Sequence, residues 1–228
     1  MRRLIITLLL VVATLPALEA QRRYRPDFAI GGKAGATVSS MSFSPHVDQT
    51  WTPGFMAGFV ARYIEQNHFG IIAELNVEQR GWKEKYEKGE PFSYRRTFTY
   101  IQLPLLTHIY FGNDRFRGFF NAGPEVGYMI GSSVSANFDY ANLGSVEGYP
   151  AGYRNSEQLN KKVENRFDYG ISAGVGMEMI FRHRHSVLIE GRFYYGLGNI
   201  FHASKKDYFS ASRGMSIEVT AAYLFRLR

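Results

Sequence analysis

The chain has 228 residues, with 18 Phe and 15 Tyr but only 2 Trp, and a formal net charge of +7. It contains no Cys, which excludes disulfides, thiol catalysis, lipoprotein acylation and Cys-ligated metal sites. The excess positive charge is modest and dispersed, so it does not indicate a nucleic-acid-binding surface, and no nucleic-acid partner is expected.

The first twenty residues have the organisation of a secretory signal peptide. Arg2 and Arg3 form a basic start, residues 4–15 are apolar, and residues 16–20 end on the small residue Ala20. The alternative is an uncleaved anchor helix, but the apolar run is short for a helix that spans a bilayer. We therefore predict a signal peptide over 1–20 and one outer-membrane β-barrel domain over 21–228.

Eight later segments alternate apolar and polar residues with a period of two, which is typical of β-strands. They are 27–39, 53–65, 69–81, 97–111, 117–131, 166–181, 186–199 and 213–225. In 166–181 one parity is apolar from Phe167 to Phe181, while the other consists largely of Gly, Ser and charged residues. That second parity cannot form an apolar core, so the large apolar side chains are predicted to face lipid. The pattern predicts an all-β fold, an eight-stranded antiparallel transmembrane β-barrel with a filled polar interior.

The inward-facing parity carries eleven charged residues, seven acidic and four basic. They are Lys33, Arg62, Glu74, Glu78, Arg80, Glu125, Asp168, Glu178, Glu190, Arg192 and Glu218. We interpret them as a structural polar network, because unpaired charge in a confined interior is costly. Lys33 and Arg62 are expected to pair with Glu74, and Arg192 with Glu178 or Glu190. A proton or cation path through the lumen is the alternative.

Connections between the segments alternate in length. Residues 65–68, 112–116 and 182–185 form short turns, whereas 40–52, 82–96, 132–165 and 200–212 are long and polar. In outer-membrane barrels the short turns face the periplasm. The predicted localisation is therefore integral to the outer membrane, with short turns and both termini periplasmic and the long loops extracellular.

Two prolines lie inside predicted strands. Pro104 and Pro124 each remove a backbone donor from the ladder, which disfavours a central strand position. A β-bulge at each proline is the expected accommodation.

Four stretches of the chain carry a family resemblance, namely residues 30–35 (IGGKAG), 100–106 (YIQLPLL), 121–128 (NAGPEVGY) and 194–200 (YYGLGNI). Together they resemble the PorT-like outer-membrane β-barrel proteins of Bacteroidota, which are also described as a porin family. The resemblance implies a barrel of about eight strands. It also implies a link to protein secretion, because the name-giving members take part in the export of proteases across the outer membrane.

No catalytic, cofactor-binding or metal-binding residue is predicted. His68, His183 and His185 fall in short turns, and His46 and His202 lie in long loops without a spaced partner. His108 faces inward on a strand and could meet a carboxylate of a neighbouring strand; we interpret it as a buried, hydrogen-bonded His rather than a general base. The long loops mix Lys and Arg with aromatic residues, so lipopolysaccharide is a candidate partner beside membrane lipid and secretion components.

The functional prediction is a non-enzymatic outer-membrane protein, structural or accessory to protein secretion and transport. A small porin-like channel for solutes or ions is the first alternative. A membrane-embedded hydrolase and a soluble lipocalin-like binder are the others, and the charged, Gly-rich interior parity argues against the last of them.

Overall fold

The computed structural model describes residues 26–150, 152–182, 184–201 and 208–227; the predicted signal peptide therefore lies outside the described residues. The strands are β1 (Asp27–Ser44), β2 (Gln49–Thr50), β3 (Thr52–Gln66), β4 (Phe69–Glu84), β5 (Tyr94–Gly112), β6 (Phe116–Ala136), β7 (Phe167–Phe181), β8 (His185–Gly196) and β9 (Ala211–Arg226). A 3₁₀ turn at Leu143–Ser145 and a one-turn helix at Ser156–Leu159 lie between β6 and β7.

The eight long strands form a closed antiparallel ring. Each pairs with its neighbour in the chain, and β9 closes the ring by pairing with β1 from Ala29–Arg226 to Ser44–Ala211. The short β2 adds two residue pairs to the end of β4. The predicted eight-stranded barrel is confirmed, and no helix of the described residues is long and apolar enough to cross a membrane.

Side chains alternate between the outer wall and the interior along every long strand. On β7, Ile171 is 55% exposed and its neighbour Ser172 is fully buried. The outer wall carries Phe, Tyr, Ile, Leu and Val, so its apolar surface matches a lipid environment rather than water.

The strands extend further than predicted at the end with the long loops. β1, β4 and β6 continue to residues 44, 84 and 136, and β5 begins at residue 94. Here the outward side chains become polar, as in Gln79 and Lys83 after Val77 on β4. The strands therefore extend beyond the apolar band on the side of the long loops. There their inward side chains pack on the loops, and this packing stabilises the paired strand ends.

The prediction of a bulge at each proline is wrong. At each proline the strand pairing is interrupted but resumes in the same register. Residue pairs are missing beside Pro104 in the β4–β5 ladder and beside Pro124 in the β5–β6 ladder. The only register shift between β5 and β6 lies at Thr99–Tyr100. Because a proline lacks one donor only, each strand loses local pairing to one neighbour and keeps it with the other: Pro104 pairs with Glu125, and Pro124 with Ile171.

Inward glycines are required by the close approach of neighbouring backbones. A Cβ at Gly31 would lie 1.8 Å from the carbonyl oxygen of Tyr223, and one at Gly123 would lie 2.1 Å from that of Leu105. Real Cβ atoms cannot approach a backbone oxygen so closely. These glycines therefore permit the strong coiling of a narrow barrel.

Arginine on the outer wall is expected to destabilise the barrel according to its depth. Val175→Arg should lower the free energy of unfolding by about 2–4 kcal/mol, because Val175 is 63% exposed and lies at the middle of β7, within the apolar band. Gln79→Arg is the matched control, since it faces outward above the band, where the cost falls to about 0–1 kcal/mol. Urea unfolding in lipid vesicles measures both variants, and equal losses would contradict the assigned band.

Candidate functional site in the barrel interior

The eleven charged residues chosen from the sequence all lie in the interior. Each is at most 7% exposed, and ten of them form ion pairs with one another. They lie there because side chains alternate between the outer wall and the interior along each strand. Their ion pairs divide them into three groups, and one carboxylate remains outside these groups.

A charge-balanced quartet occupies the middle of the barrel. The guanidinium of Arg192 donates to both carboxylate oxygens of Glu74, at 2.9 and 2.7 Å, and to Glu190 at 2.8 Å. Lys33 donates to Glu74 at 2.9 Å and lies 3.9 Å from Glu190. Two cations and two anions thus neutralise each other through charge-assisted hydrogen bonds.

A second group gathers three carboxylates around one guanidinium. Arg80 lies 2.6 Å from Glu78, 2.5 Å from Glu125 and 3.4 Å from Asp168. The ring of Tyr194 packs 3.7 Å from the guanidinium carbon, and its hydroxyl donates to Asp168 at 2.8 Å. This group is acid-rich, so Arg80 is its electrostatic centre.

The third group lies nearer the short turns and corrects one predicted pairing. Arg62 donates to Glu178 at 2.8 Å, not to Glu74, whereas Arg192 pairs with Glu190, one of its two predicted partners. Glu74 stands opposite Val60 in the β3–β4 ladder, so Arg62 lies two residues nearer the turn. At that height Arg62 faces the carboxylate of Glu178 from the opposite side of the barrel. The residue pattern of a single strand does not predict such a contact.

Glu218 is the one member without an ion pair within 4 Å among the described residues. It is 1% exposed, and its Oε2 atom has no hydrogen-bond partner. Arg192 stands directly opposite it in the β8–β9 ladder, but its guanidinium is turned to Glu74 and Glu190.

Apolar residues close the interior at the end with the short turns, a layer that the sequence interpretation missed. They are Ala29, Val60, Ile64, Ile72, Leu106, Tyr110, Phe119, Leu188 and Leu224. His108 stacks on Tyr110, and its Nδ1 lies 2.7 Å from Asn121 Oδ1. The amide nitrogen of Asn121 donates a hydrogen bond to Glu190. The inward-facing residues change from charged to apolar towards each short turn, and this change in the sequence could have predicted the layer.

A second apolar layer fills the opposite mouth, and we call it the aromatic cap. Its buried members are Met41, Phe43, Trp82, Tyr94, Phe98, Tyr100, Met129, Leu159, Ile200, Phe201 and Phe209. They come from the strand ends beside the long loops and from two long connections, so no local pattern predicts the cluster.

Arg154 of the longest connection is buried inside the aromatic cap. Its guanidinium carbon lies 4.5 Å from the ring centre of Phe43 and 5.0 Å from that of Phe209. Its Nε lies 3.3 Å from Glu84, which also accepts a hydrogen bond from Trp82 Nε1 at 2.9 Å. Burial raises the pKa of Glu84 although Arg154 opposes the shift, and burial lowers the pKa of Arg154 against the attraction of Glu84.

Two hydrogen bonds hold the following helical turn against the barrel rim. Tyr94 Oη donates to the carbonyl of Leu159 at 2.7 Å, and Arg96 Nη1 donates to that of Lys161 at 2.6 Å. Burial also raises the pKa of Tyr94 to about 12, so its hydroxyl stays protonated as a donor. An Asn155–Gln158 capping box begins the turn and orients it. The longest connection is therefore folded into the mouth rather than extended into solvent.

The histidines of the described residues form no catalytic arrangement. His68 contacts the Tyr110 carbonyl, His185 the Tyr223 hydroxyl and His46 the Asp48 carboxylate, and none joins a hydroxyl to a carboxylate. No group of three or more His, Asp or Glu in this part of the chain could hold a metal ion. His183 and His202 lie outside the described residues.

A protein-family model described as the outer membrane protein beta-barrel domain matches residues 19–202. The chain belongs to this family. Membership together with the closed barrel makes it an integral outer-membrane protein.

The chain is similar to solved outer-membrane barrels at low sequence identity. OprG of Pseudomonas aeruginosa is 12% identical with a TM-score of 0.53, and the match covers 91% of this chain and 99% of OprG. Neisserial surface protein A is 11% identical with a TM-score of 0.43, covering 89% and 99%. Ail of Yersinia pestis, solved with the heparin analogue sucrose octasulfate, is 12% identical with a TM-score of 0.42, covering 87% and 99%. A search of curated proteins finds no match.

Proposed function

We propose that this member of the family is a closed, non-enzymatic barrel that works through its extracellular surface, as a structural protein or an accessory to protein export. The observation that carries the proposal is the filled interior. An apolar layer, a network of paired charges and the aromatic cap follow one another from the short turns to the long connections.

The aromatic cap supports a surface role because specific contacts hold the longest connection in a fixed position. Arg154, Leu159 and Tyr94 fasten the longest connection to the strands, and a helical turn with its own capping box lies between them. A fixed platform presents its outer residues to a partner with little loss of conformational entropy.

The proposed orientation places the aromatic cap outside the cell and the three short turns in the periplasm. Residues 67–68, 113–115 and 182–184 connect strands at one end, and the long connections all lie at the other. This asymmetry is the usual one for bacterial outer-membrane barrels.

Export is the finer part of the proposal, and the resemblance to PorT-like proteins of Bacteroidota supports it. The partners in this proposal are components of the secretion machinery, with outer-membrane lipid and lipopolysaccharide around the barrel. Deletion of the gene should deplete a defined set of proteins from the medium and the cell surface. Unchanged surface and secreted proteomes would leave the structural role alone.

We expect the purified protein to show no steady conductance in planar bilayers. An eight-stranded lumen has room for side chains only, and here three successive layers occupy it. A 16-stranded porin reconstituted in the same bilayers is the positive control. Uniform single-channel steps from this protein would overturn the closed barrel and favour the porin alternative.

A further inference from the structure

The barrel wall is notched at β7 and β8 on the side of the aromatic cap. The last residue pair between β6 and β7 is Tyr128–Phe167, although β6 continues to Ala136, and β8 has only 12 residues. Residues 164–166 and 197–201 cross the notch in place of strands, held by bonds from the amides of 164 and 165 to the carbonyl of residue 200.

A cavity of about 720 Å³ opens on the outer side of this notch. Aromatic side chains form much of its wall, since Tyr128, Phe167 and Tyr169 are each about half exposed. Phe201, which is 1% exposed and belongs to the aromatic cap, separates the cavity from the interior.

Part of the polar lining of the cavity makes no polar contact with the rest of the described chain. Arg166 is exposed, and its guanidinium has no hydrogen bond or ion pair within the described part of the chain. Asn165 Nδ2 donates to the Asn199 carbonyl and Asn199 Oδ1 accepts from the Ser212 amide. The Asn165 oxygen and the Asn199 amide group remain available, while Glu164 at the margin lies 3.8 Å from Lys161.

The cavity stands at the boundary between the apolar band and water. Directly below it, the outer wall presents the pairs Val126–Tyr169, Pro124–Ile171 and Ala122–Ala173 in turn. Aromatic residues are typical of this boundary in barrels. The wall below the cavity is therefore apolar, as contact with acyl chains requires.

We propose that the cavity binds the phosphorylated sugar headgroup of an outer-leaflet glycolipid, with the acyl chains along β6 and β7. A guanidinium binds phosphate through paired, charge-assisted hydrogen bonds, and Arg166 offers one that has no partner among the described residues. Sugar rings place C–H faces on aromatic side chains and hydroxyls on amides, which matches the wall and the two asparagines. The cavity opens towards the lipid at the outer wall rather than along the barrel axis. This position suits a ligand whose acyl chains lie against the wall.

This inference names the lipid partner of the proposed function and rests on its orientation, with the long connections outside the cell. Its test measures binding only. Loss of binding would therefore leave conductance and the secreted proteome, which test the proposed function, unaffected.

The experiment is native mass spectrometry of the detergent-purified protein with lipid A and with phosphatidylglycerol at equal concentrations. We expect preferential retention of lipid A and weaker retention of dephosphorylated lipid A. Arg166→Gln should weaken lipid A binding about tenfold, the effect of losing a hydrogen bond to a charged group.

Lys83→Gln is the matched control, because Lys83 is an exposed outward cation on β4, two strands away from β6, the nearest strand that lines the cavity. It should leave lipid A binding unchanged, and heat-modifiable migration on gels verifies that both variants are folded. Three results would each overturn the site. Phosphatidylglycerol could be retained as well as lipid A, both variants could lose lipid A binding equally, or Arg166→Gln could bind lipid A as tightly as wild type.

Discussion

Arg192→Met is expected to lower the free energy of unfolding by about 3–5 kcal/mol. The substitution removes two hydrogen bonds to Glu74 and two to Glu190. It leaves two buried carboxylates with Lys33 as the only cation within 4 Å of them in the described part of the chain. Methionine keeps much of the side-chain volume, so the loss reports the stranded charge rather than a cavity. Urea unfolding in lipid vesicles, followed by the heat-modifiable shift on gels, measures it.

The double variant Arg192→Met, Glu74→Gln is the control for this result. It removes one charge of each sign and leaves Lys33 and Glu190, which already lie 3.9 Å apart, as a neutral pair. The double variant should therefore be more stable than Arg192→Met alone. A double variant that is less stable than the single one would show that packing, not charge balance, governs the quartet.

Arg154→Ala is expected to release the longest connection from the barrel mouth. The guanidinium packs on Phe43 and Phe209 and faces Glu84, and desolvated cation–π contacts are worth about 2 kcal/mol or more. A loss of that size raises the open population of the connection roughly 30-fold. Limited trypsin digestion, which reports the open population, should cut faster after Lys161, Lys162 and Arg166 in the variant.

Two further variants separate the contributions of Arg154. Arg154→Lys retains the charge near Glu84 but loses the planar stacking, so its digestion rate should fall between wild type and Arg154→Ala. Glu157→Gln in the same connection is not a suitable control, because the Tyr208 hydroxyl donates to the Glu157 carboxylate. Glu147→Gln is the neutral control, since Glu147 lies in the same connection and is exposed. Equal digestion of wild type and Arg154→Ala would mean that Leu159 and Tyr94 hold the connection without the guanidinium.

Much of the fold was predictable because the signal in each strand is local. Alternation alone assigns Ile171 to lipid and Ser172 to the interior, and the structure has both there. The short turns follow from the distances between these segments. The prolines show the limit of this reasoning, because a missing donor on one edge of a strand does not require a bulge when the other edge remains paired.

The interior was predictable as a set of residues but not as a set of contacts. Burial of Arg62 follows from its parity, whereas its pairing with Glu178 depends on the height of each residue on strands that are not neighbours. Seven acidic and four basic residues indicate an acid-rich lumen, and only the coordinates show that the excess gathers around Arg80 and Glu218.

A membrane barrel is predictable from local sequence, because a period of two with lipid-facing apolar residues is encoded strand by strand. How the mouth of the barrel is closed depends on contacts between distant parts of the chain. The aromatic cap joins Phe43, Trp82, Arg154 and Phe209, which are far apart in the chain and carry no shared local pattern. Their meeting depends on strand register and on the path of the long connections, which are properties of the closed ring.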